Sequence, residues 1–398
     1  MPAPICPAPM TPMTSMFFSR SLARLLSRCA VARYAGGMKL FAPLLLTLAA
    51  CSPAPDATTN LAEKAPDTTP GSPLPSQDDA ATAAAAPRIG ELRTFRDWTV
   101  GCDNIGNCKA VALAPEDDAG NWPAFLPSIE RDAGTPGAMR IAFAGESEIA
   151  APIVLRIDGA EVARGGTREG QFEGSEARRI AEAMANAQAA EIESAGQRAQ
   201  VSLAGVSAAL RYIDAQQGRA GTGGAIVAKG GRIDNAAASP MPVIRALAPS
   251  GTAETLDAAA ITRLQEEAGC EIFEGAYQPD PQFHALGGGV TLALVPCGAG
   301  AYNAIHAAFV IERGATRAAP FDAVPNGFGE DGAPTLINAG FEDGELAAFA
   351  KGRGLGDCGV IQRYVWDGTR FRIVEQSEMG ECRGSTDYIT TYRARIER

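Results

Sequence analysis

Stretches with a hydrophobic residue at every second position dominate this chain, and they predict strands because neighbouring strand side chains point to opposite faces of a sheet. Residues 95–100, leading to Cys102, alternate in this way, as do residues 305–311 and 388–396. Residues 290–295 are a compact apolar run that also fits a strand, and we predict a further strand at residues 225–227. The pattern therefore favours a largely β fold.

Two Asp-Gly pairs between apolar stretches predict hairpins, because these residues readily adopt the positive φ of a two-residue turn. One pair is Asp158-Gly159, and the other is Asp367-Gly368, which follows Trp366. A two-residue turn at Asp367-Gly368 places Cys358 opposite Ser377 on the partner strand. Cys382 then has to fold back to reach Cys358.

Three segments have the spacing of amphipathic helices. Residues 176–193 are rich in alanine and carry an apolar face that includes Ile180 and Met184. Residues 206–218 and residues 256–268 show similar spacing, and the second of them leads into Cys270. A proline-bearing polar stretch at 234–242 lies between the last two helices and predicts a domain boundary. We expect an α+β, β-dominated fold of two disulfide-stabilised β-rich subdomains with a few helices, an N-terminal one at 89–233 and a C-terminal one at 234–398.

The beginning of the chain has the organisation of a bacterial lipoprotein signal. Met38-Lys39 provides a positive start, and a short apolar run ends in Leu48-Ala49-Ala50-Cys51. The run is too short to span a bilayer. We therefore interpret residues 1–37 as an upstream segment translated from a start assigned too early, residues 38–50 as a signal peptide, and Cys51 as a lipidated (palmitate-bearing) N-terminus. Ser52 follows, which by analogy with known lipoproteins favours the outer membrane. An ordinary cleaved signal with an incidental Cys51 is the alternative.

Composition predicts a tether and limits the partners. Residues 51–88, the lipidated cysteine and a stretch rich in Ala, Pro and Thr, cannot bury enough apolar surface to fold. Removing residues 1–50, which hold five basic residues and no acidic one, leaves 30 basic against 46 acidic residues, a net charge of −16. Such a charge argues against nucleic acid as a partner. The membrane, reached through the lipid anchor, and another envelope protein are the partners that we expect.

Six cysteines remain after Cys51, and an even number in an exported chain indicates disulfides. Fifteen pairings are possible, and clustering suggests that neighbours pair. No C-x-x-C motif occurs and the chain has two histidines, so we expect neither a metal site nor a cofactor. The expected pairs are Cys102–Cys108, Cys270–Cys297 and Cys358–Cys382.

Several short blocks occur in a fixed order along the folded part. They are FRDWTVGCDN at 95–104, SLAG at 202–205, AALR at 208–211 with Asp214, QGR at 217–219, GT at 221–222, CGAGAYN at 297–303, GRGLGDCG at 352–359 and YVWDG at 364–368. These blocks resemble the bacterial domain-of-unknown-function family 1176. The resemblance covers nearly the whole folded part and implies an exported protein of a Gram-negative envelope, with no assigned reaction. The first half is also loosely similar to the invasion-associated locus B proteins.

The sequence contains few candidates for chemistry. His284 and His306 are the histidines, and no G-x-S-x-G motif accompanies them, so solvated or structural roles are the simpler interpretation. The glycine-rich loop around Arg353 and Asp357 lacks the strand and helix of a phosphate-binding loop, but these two residues could form a ligand-facing pair. The tryptophans could line a sugar site, although core packing is the commoner use of sparse aromatic residues. They are Trp98, Trp122 and Trp366.

Three functional hypotheses follow. The first is a lipid-anchored binding or structural module of the cell envelope, for which we expect no catalytic activity. The second is an envelope hydrolase that uses paired carboxylates, for which Asp357, Glu274 and Asp280 are candidates. The third is an inhibitor or accessory protein that inserts the hairpin bearing Trp366 and Phe371 into a partner.

Overall fold

The computed structural model describes residues 87–116, 122–145, 147–167, 169–272, 277–326 and 332–398. The predicted upstream segment, the signal peptide, Cys51 and the tether up to residue 86 lie outside these ranges, as does Glu274. Among the helices in these ranges, none has the length and apolar character needed to cross a membrane. The described residues belong to one compact unit.

The N-terminal half, as far as it is described, contains short antiparallel strands and two helices. In chain order these are β1 (Arg93–Phe95), β2 (Trp98–Cys102), β3 (Cys108–Ala112), β4 (Leu126–Arg131), β5 (Met139–Ala144), β6 (Ile153–Ile157), β7 (Ala160–Gly165), β8 (Phe172–Glu173), α1 (Gly174–Met184), β9 (Ala189–Ser194), β10 (Gln197–Ser202) and α2 (Val206–Gln216).

These strands form two sheets, in the orders β1-β2-β3-β4-β5-β8 and β10-β9-β6-β7. Helix α1 buries a face of residues spaced three and four apart, including Ile180 and Met184, in the same apolar cluster as Trp98 of β2. Helix α2 contributes Leu210 and Ile213 to that cluster. One core therefore joins both sheets and both helices.

The start of α2 depends on Gly205. Its φ is +101°, and a Cβ atom there would lie 1.7 Å from the carbonyl oxygen of Phe95. No other residue fits this close approach, because any side chain would overlap the backbone of the first hairpin. The glycine of the SLAG block at 202–205 is thus a packing requirement of the fold.

The C-terminal half consists mainly of longer strands. The elements are β11 (Val243–Arg245), α3 (Ala258–Glu267), β12 (Gln282–Gly287), β13 (Val290–Ala299), β14 (Ala304–Glu312), β15 (Ala315–Ala318), β16 (Thr335–Ile337), β17 (Gly340–Glu342), β18 (Glu345–Lys351), β19 (Gly359–Trp366), β20 (Phe371–Met379), β21 (Ile389–Arg393) and β22 (Arg395–Glu397).

Two five-stranded sheets of this half share a core. In one sheet the order is β12-β13-β14-β15, with β16 also paired to β14, and in the other it is β17-β18-β19-β20-β21. Leu292 and Val310 of the first sheet lie in one apolar cluster with Tyr364 and Phe371 of the second. Leu264 of α3 belongs to a separate cluster on the other face of β13 and β14. A separate pair, β11 with β22, is parallel. The β-dominated α+β class is therefore confirmed.

Three disulfides join cysteines that are neighbours in the sequence, as their clustering predicts. Cys102–Cys108 closes the tight turn between β2 and β3. The other two bonds are Cys270–Cys297 and Cys358–Cys382. Residues 234–242, the predicted domain boundary, contain no helix or strand, and the boundary itself stays a prediction.

The predicted helix at 176–193 is wrong in its second half. The helix ends at Met184, and residues 189–194 form β9, which pairs with both β6 and β10. The backbone N–H groups of Gln188 and Ala189 donate to Asp158, which anchors the chain where it enters the strand. An alanine-rich composition favours a helix, but here pairing with the two flanking strands, β6 and β10, determines the structure of residues 189–194.

Two predicted strands are also corrected. Residues 95–100 form a hairpin rather than one strand, because Arg96 adopts a φ of +56° and Phe95 pairs with Trp98. Residues 225–227 form no strand. Instead, the N–H groups of Ile226 and Val227 donate to the carboxylate of Asp214, at 2.7 and 2.9 Å. A buried side chain thus takes the place of a strand partner.

The last long hairpin has a longer turn than Asp367-Gly368 predicts. Residues 367–370 form the loop, and Asp367 Oδ1 accepts hydrogen bonds from the backbone N–H groups of Thr369 and Arg370 at 2.8 and 2.9 Å. The two extra loop residues and a bulge between Arg363 and Tyr364 shift the register, so that Ile361, not Cys358, lies opposite Ser377. This shift removes the predicted obstacle to the Cys358–Cys382 disulfide. The Asp158-Gly159 hairpin between β6 and β7 is confirmed.

Candidate functional site

Loops from three hairpins and one segment of the N-terminal half meet around the Cys358–Cys382 disulfide. We call this group the loop cluster and define it by five side chains. Trp122 precedes β4, Tyr302 lies between β13 and β14, and Arg353, Leu355 and Asp357 lie between β18 and β19. The cluster contains both residues that the sequence suggests as a ligand-facing pair.

The two charged residues bind each other across one turn of the loop. Arg353 Nε donates to Asp357 Oδ1 at 2.7 Å, and Arg353 Nη2 donates to Oδ2. The guanidinium also lies over the ring of Trp122, 4.6 Å from its centre, a cation–π arrangement. The backbone N–H of Gly384 donates to Asp357 Oδ2 at 2.7 Å. The pair is thus held from the N-terminal half and from the β20–β21 loop.

The disulfide and Tyr302 fix the rest of the loop. A Cβ atom on Gly352 would lie 2.6 Å from the sulfur of Cys358, so the loop can pass the disulfide only with glycine at this position. The hydroxyl of Tyr302 donates to the Gly352 carbonyl at 3.0 Å. The loop backbone is therefore anchored beside Leu355.

The Arg353–Asp357 pair is unsuited to proton transfer. Burial by itself raises the pKa of Asp357, but the bonds from Arg353 and Gly384 hold that pKa below its ordinary value. The same ion pair raises the pKa of Arg353. Both groups stay charged near neutral pH, so the pair positions the loop rather than acting as an acid or a base.

Apolar and aromatic side chains of the loop cluster are open to solvent. Leu355 is 57% exposed and Tyr302 is 42% exposed. Tyr, Trp and Arg are the residue types that most often dominate binding energy in protein interfaces. The arrangement therefore presents residues of these types on an ordered, exposed surface, and its one tryptophan, Trp122, is one that the sequence could not distinguish from the core tryptophans.

The other carboxylates suggested by the sequence do not join this site. Asp280 is exposed, and its backbone carbonyl, not its carboxylate, contacts His306 Nε2 at 3.3 Å. Glu274 lies outside the described residues. The structure thus brings Asp357 together with an arginine rather than with a second carboxylate.

The two histidines lie apart from the loop cluster and have different surroundings. His306 of β14 is 2% exposed, and burial lowers its pKa. His284 of β12 is partly buried, packs on the ring of Phe341 at 4.9 Å and likewise has a pKa lowered by burial. Both contacts fit the structural roles that the sequence suggests.

Trp98, Trp366 and Phe371 are buried in apolar cores. The side chains of Trp366 and Phe371 pack inside the fold, and insertion of the hairpin around Asp367-Gly368 into a partner stays a prediction. Gly368 and Thr369 of the turn are the exposed residues of this hairpin.

A charged cavity beside β3, β4 and β21 was not suggested by the sequence. Its volume is about 80 Å³, and Glu130 and Asp132 both line it. Arg140 Nη2 bonds each carboxylate at 3.0 Å, and Lys109 Nζ lies 3.2 Å from Glu130. Burial by itself raises the pKa of Glu130, but these cations hold it below its ordinary value. Cross-strand register, invisible in one sequence, brings these charges together.

In the ranges that the structure describes, no group of three or more His, Cys, Asp or Glu side chains is placed to hold a metal ion.

Comparison with known proteins assigns the chain to a family. The family model described as "Protein of unknown function (DUF1176)" matches residues 92–395. The chain belongs to this DUF1176 family. It is similar to the "Uncharacterized protein YpfG" of Escherichia coli (strain K12), with 29% identity over 319 residues, which cover 73% of this chain and 88% of the relative. No solved structure matches the chain.

The DUF1176 match spans the loop cluster and a second, buried arginine–aspartate pair. Arg131 and Asp214 have no exposed side-chain surface, and Arg131 Nη1 lies 3.4 Å from Asp214 Oδ1. Asp214 also accepts backbone hydrogen bonds from residues 226–228, while Arg131 donates to the Gly224 carbonyl at 2.7 Å. This second pair fixes an irregular segment of the core and presents nothing to solvent.

Proposed function

We propose that this DUF1176 chain is a lipid-anchored protein of the cell envelope that binds another envelope protein through its loop cluster. The observation that carries the proposal is the exposed side of that cluster. Leu355 faces solvent on a loop that an ion pair, a cation–π contact and a disulfide hold in place, and Tyr302 faces solvent on the neighbouring β13–β14 loop. An ordered surface loses little conformational entropy on binding, which favours affinity.

Three features of the chain support the location. The Leu48-Ala49-Ala50-Cys51 pattern follows a positive start and a short apolar run. Three disulfides are typical of an oxidising compartment outside the cytoplasm. Two or more acyl chains on Cys51 would make membrane attachment stable. We place the anchor in the outer membrane, with the folded part in the periplasm.

The location is tested by the Cys51→Ser variant in cells. We expect the wild-type chain to fractionate with membranes and to begin at an acylated Cys51 by mass spectrometry. We expect the variant to lose the acyl groups and to leave the membrane fraction. A wild-type N-terminus that is unmodified, or that lies elsewhere, would contradict the anchor.

Partner binding is tested by placing a photo-crosslinking amino acid at position 355 in intact cells. The matched control carries it at Ile233, which is 86% exposed and outside the loop cluster. We expect one protein to be captured from position 355 and not from position 233. Equal capture from both positions, or no capture from position 355, would contradict the proposed interface.

The hydrolase hypothesis receives one observation, the two carboxylates at the charged cavity. A carboxylate hydrolase of the common type needs one of its two groups protonated near neutral pH to act as an acid. Glu130 instead has a lowered pKa, and Arg140 binds both carboxylates. We therefore favour the binding module over the enzyme.

A further inference from the structure

A groove lies over the part of strands β19 and β20 that is farther from their turn, and its floor is polar. On the face of β19 and β20 that carries Tyr364 and Phe371, residues near the turn are apolar. Further along the same two strands, Gln362 lies opposite Gln376, and Val360 lies opposite Glu378. The face thus changes from an apolar core to buried amides and a carboxylate, where a groove of about 290 Å³ opens.

The polar groups of the floor form a directed chain of hydrogen bonds. The backbone N–H of Asn326 donates to Gln362 Oε1 at 2.7 Å, and Gln362 Nε2 donates to Gln376 Oε1 at 2.8 Å. Gln376 Nε2 donates to Glu378 Oε1, which also accepts from Thr391 at 3.3 Å. Every acceptor in this chain is an amide or carboxylate oxygen, and the chain ends on a negative charge.

Part of this floor remains available for a ligand. Gln362 and Gln376 are 4% and 6% exposed, so the chain holds their amides in place. Of the described residues, none donates a hydrogen bond to Glu378 Oε2. Each Nε2 has two N–H groups, and the chain uses one of each. The floor therefore offers a carboxylate oxygen as an acceptor, and each amide keeps one N–H that this chain of hydrogen bonds does not use.

Of the other five lining residues, four are apolar and one, Asn326, is polar but uncharged. Ile89, Val324, Pro325 and Val360 form walls, and Glu378 is the single charged residue in the lining. A negative floor disfavours anions and favours a cation or an N–H donor, while the walls favour small apolar groups. The volume lies near the lower end of the range for small-molecule sites, about 300 Å³.

We propose that this groove binds the amino terminus of a short peptide with small apolar side chains. The ammonium group pairs with Glu378, the first peptide groups bond to the amides of Gln362 and Gln376, and the side chains contact the apolar walls. The site is separate from the loop cluster and does not depend on the function proposed for that surface.

The test measures binding of tri-alanine and of N-acetylated tri-alanine to the full chain by calorimetry. We expect saturable binding of tri-alanine and at least roughly tenfold weaker binding of the acetylated peptide, because losing a hydrogen bond between charged groups has about this effect. Glu378→Gln should weaken tri-alanine binding roughly tenfold and leave the acetylated peptide unchanged. Glu375→Gln is the matched control, since Glu375 bonds Arg363 and does not line the groove.

A second variant covers the case in which Glu378→Gln does not fold. Val324 is 80% exposed, so Val324→Lys should fold normally and should weaken tri-alanine binding by placing a positive charge at the groove. The proposal is overturned if tri-alanine shows no saturable binding, if the acetylated peptide binds as well, or if Glu375→Gln has the same effect as Glu378→Gln.

Discussion

Two arginine–aspartate pairs of this protein have similar chemistry but opposite surroundings. Arg131 and Asp214 are fully buried, whereas Arg353 keeps 35% of its side-chain surface exposed beside a buried Asp357. The buried pair bonds backbone groups of the core. The surface pair closes a loop in which Leu355, two residues after Arg353, faces solvent. The comparison separates a pair that holds the fold from a pair that orients a surface.

The two pairs differ in which groups lose a partner when one member of the pair is removed. Without Asp214, a buried guanidinium and several backbone N–H groups lose their acceptor in the core. Without Arg353, Asp357 keeps its bond from Gly384, and water can reach the space that the arginine vacates. Burial, rather than charge, therefore decides whether such a pair affects stability or recognition.

The largest effect is expected for Asp214→Ala. Breaking a buried ion pair by removing one partner costs about 3–5 kcal/mol, because the remaining charge is left uncompensated. Urea unfolding followed by circular dichroism measures the change in the free energy of unfolding. A loss below about 1 kcal/mol, the size typical of an exposed pair, would contradict the structural role.

The disulfide of the loop cluster should rank next. Replacing Cys358 and Cys382 by alanine opens a loop with a sequence separation of 24 residues. Loop-closure entropy then predicts a loss of about 3.5 kcal/mol, against about 2.4 kcal/mol for the same change at Cys102 and Cys108. Unfolding of the two double variants, side by side, checks the order. The reverse order would show that loop length does not govern these contributions.

A smaller, pH-dependent effect is expected from His306. Burial lowers its pKa in the folded protein, so below about pH 6.5 the unfolded chain binds more protons. The contribution of His306 is therefore complete above that pH and is lost as the pH falls towards the folded pKa, by at most about 1.4 kcal/mol per pH unit. Unfolding of wild type and His306→Gln between pH 7.5 and pH 5, in roughly half-unit steps, measures this slope.

His284→Gln is the control for this prediction, because His284 is less buried and its pKa is lowered in the same direction. We expect it to remove less of the slope than His306→Gln. If His306→Gln leaves the pH dependence of wild type unchanged, the buried histidine has no such role.

The smallest effect on stability is expected for Arg353→Ala. Arg353 forms a partly exposed ion pair, and such pairs contribute about 0–1 kcal/mol. We expect the free energy of unfolding to fall by less than about 1 kcal/mol, with Arg353→Lys between the variant and wild type, since lysine keeps the charge but not the two-bond geometry. A larger loss would show that this pair stabilises the fold as Arg131 and Asp214 do.

Local patterns in the sequence predict the fold class, two of the three helices and the disulfide pairing. They fail where distant partners decide the structure. β9 is a strand because β6 and β10 flank it, and residues 225–227 are not a strand because Asp214 takes their N–H groups. The Asp367-Gly368 turn is longer than expected because Asp367 bonds two further N–H groups.

The candidate site was accessible to sequence reasoning only in part. Arg353 and Asp357 stand four residues apart in one glycine-rich loop, so their pairing is a local property. Trp122 and Tyr302 come from distant segments, and nothing in their local sequence shows that they meet this loop. Gln362 and Gln376 are likewise brought together by strand register across a hairpin. Long-range packing therefore assembles most of each proposed surface.

Photo-crosslinking from position 355 in cells that carry Arg353→Ala tests the central distinction most directly. The account predicts that the variant folds with nearly wild-type stability and that capture of the partner from position 355 is lost, because the ion pair orients the loop. Capture that persists at the wild-type level in a folded Arg353→Ala chain would contradict it.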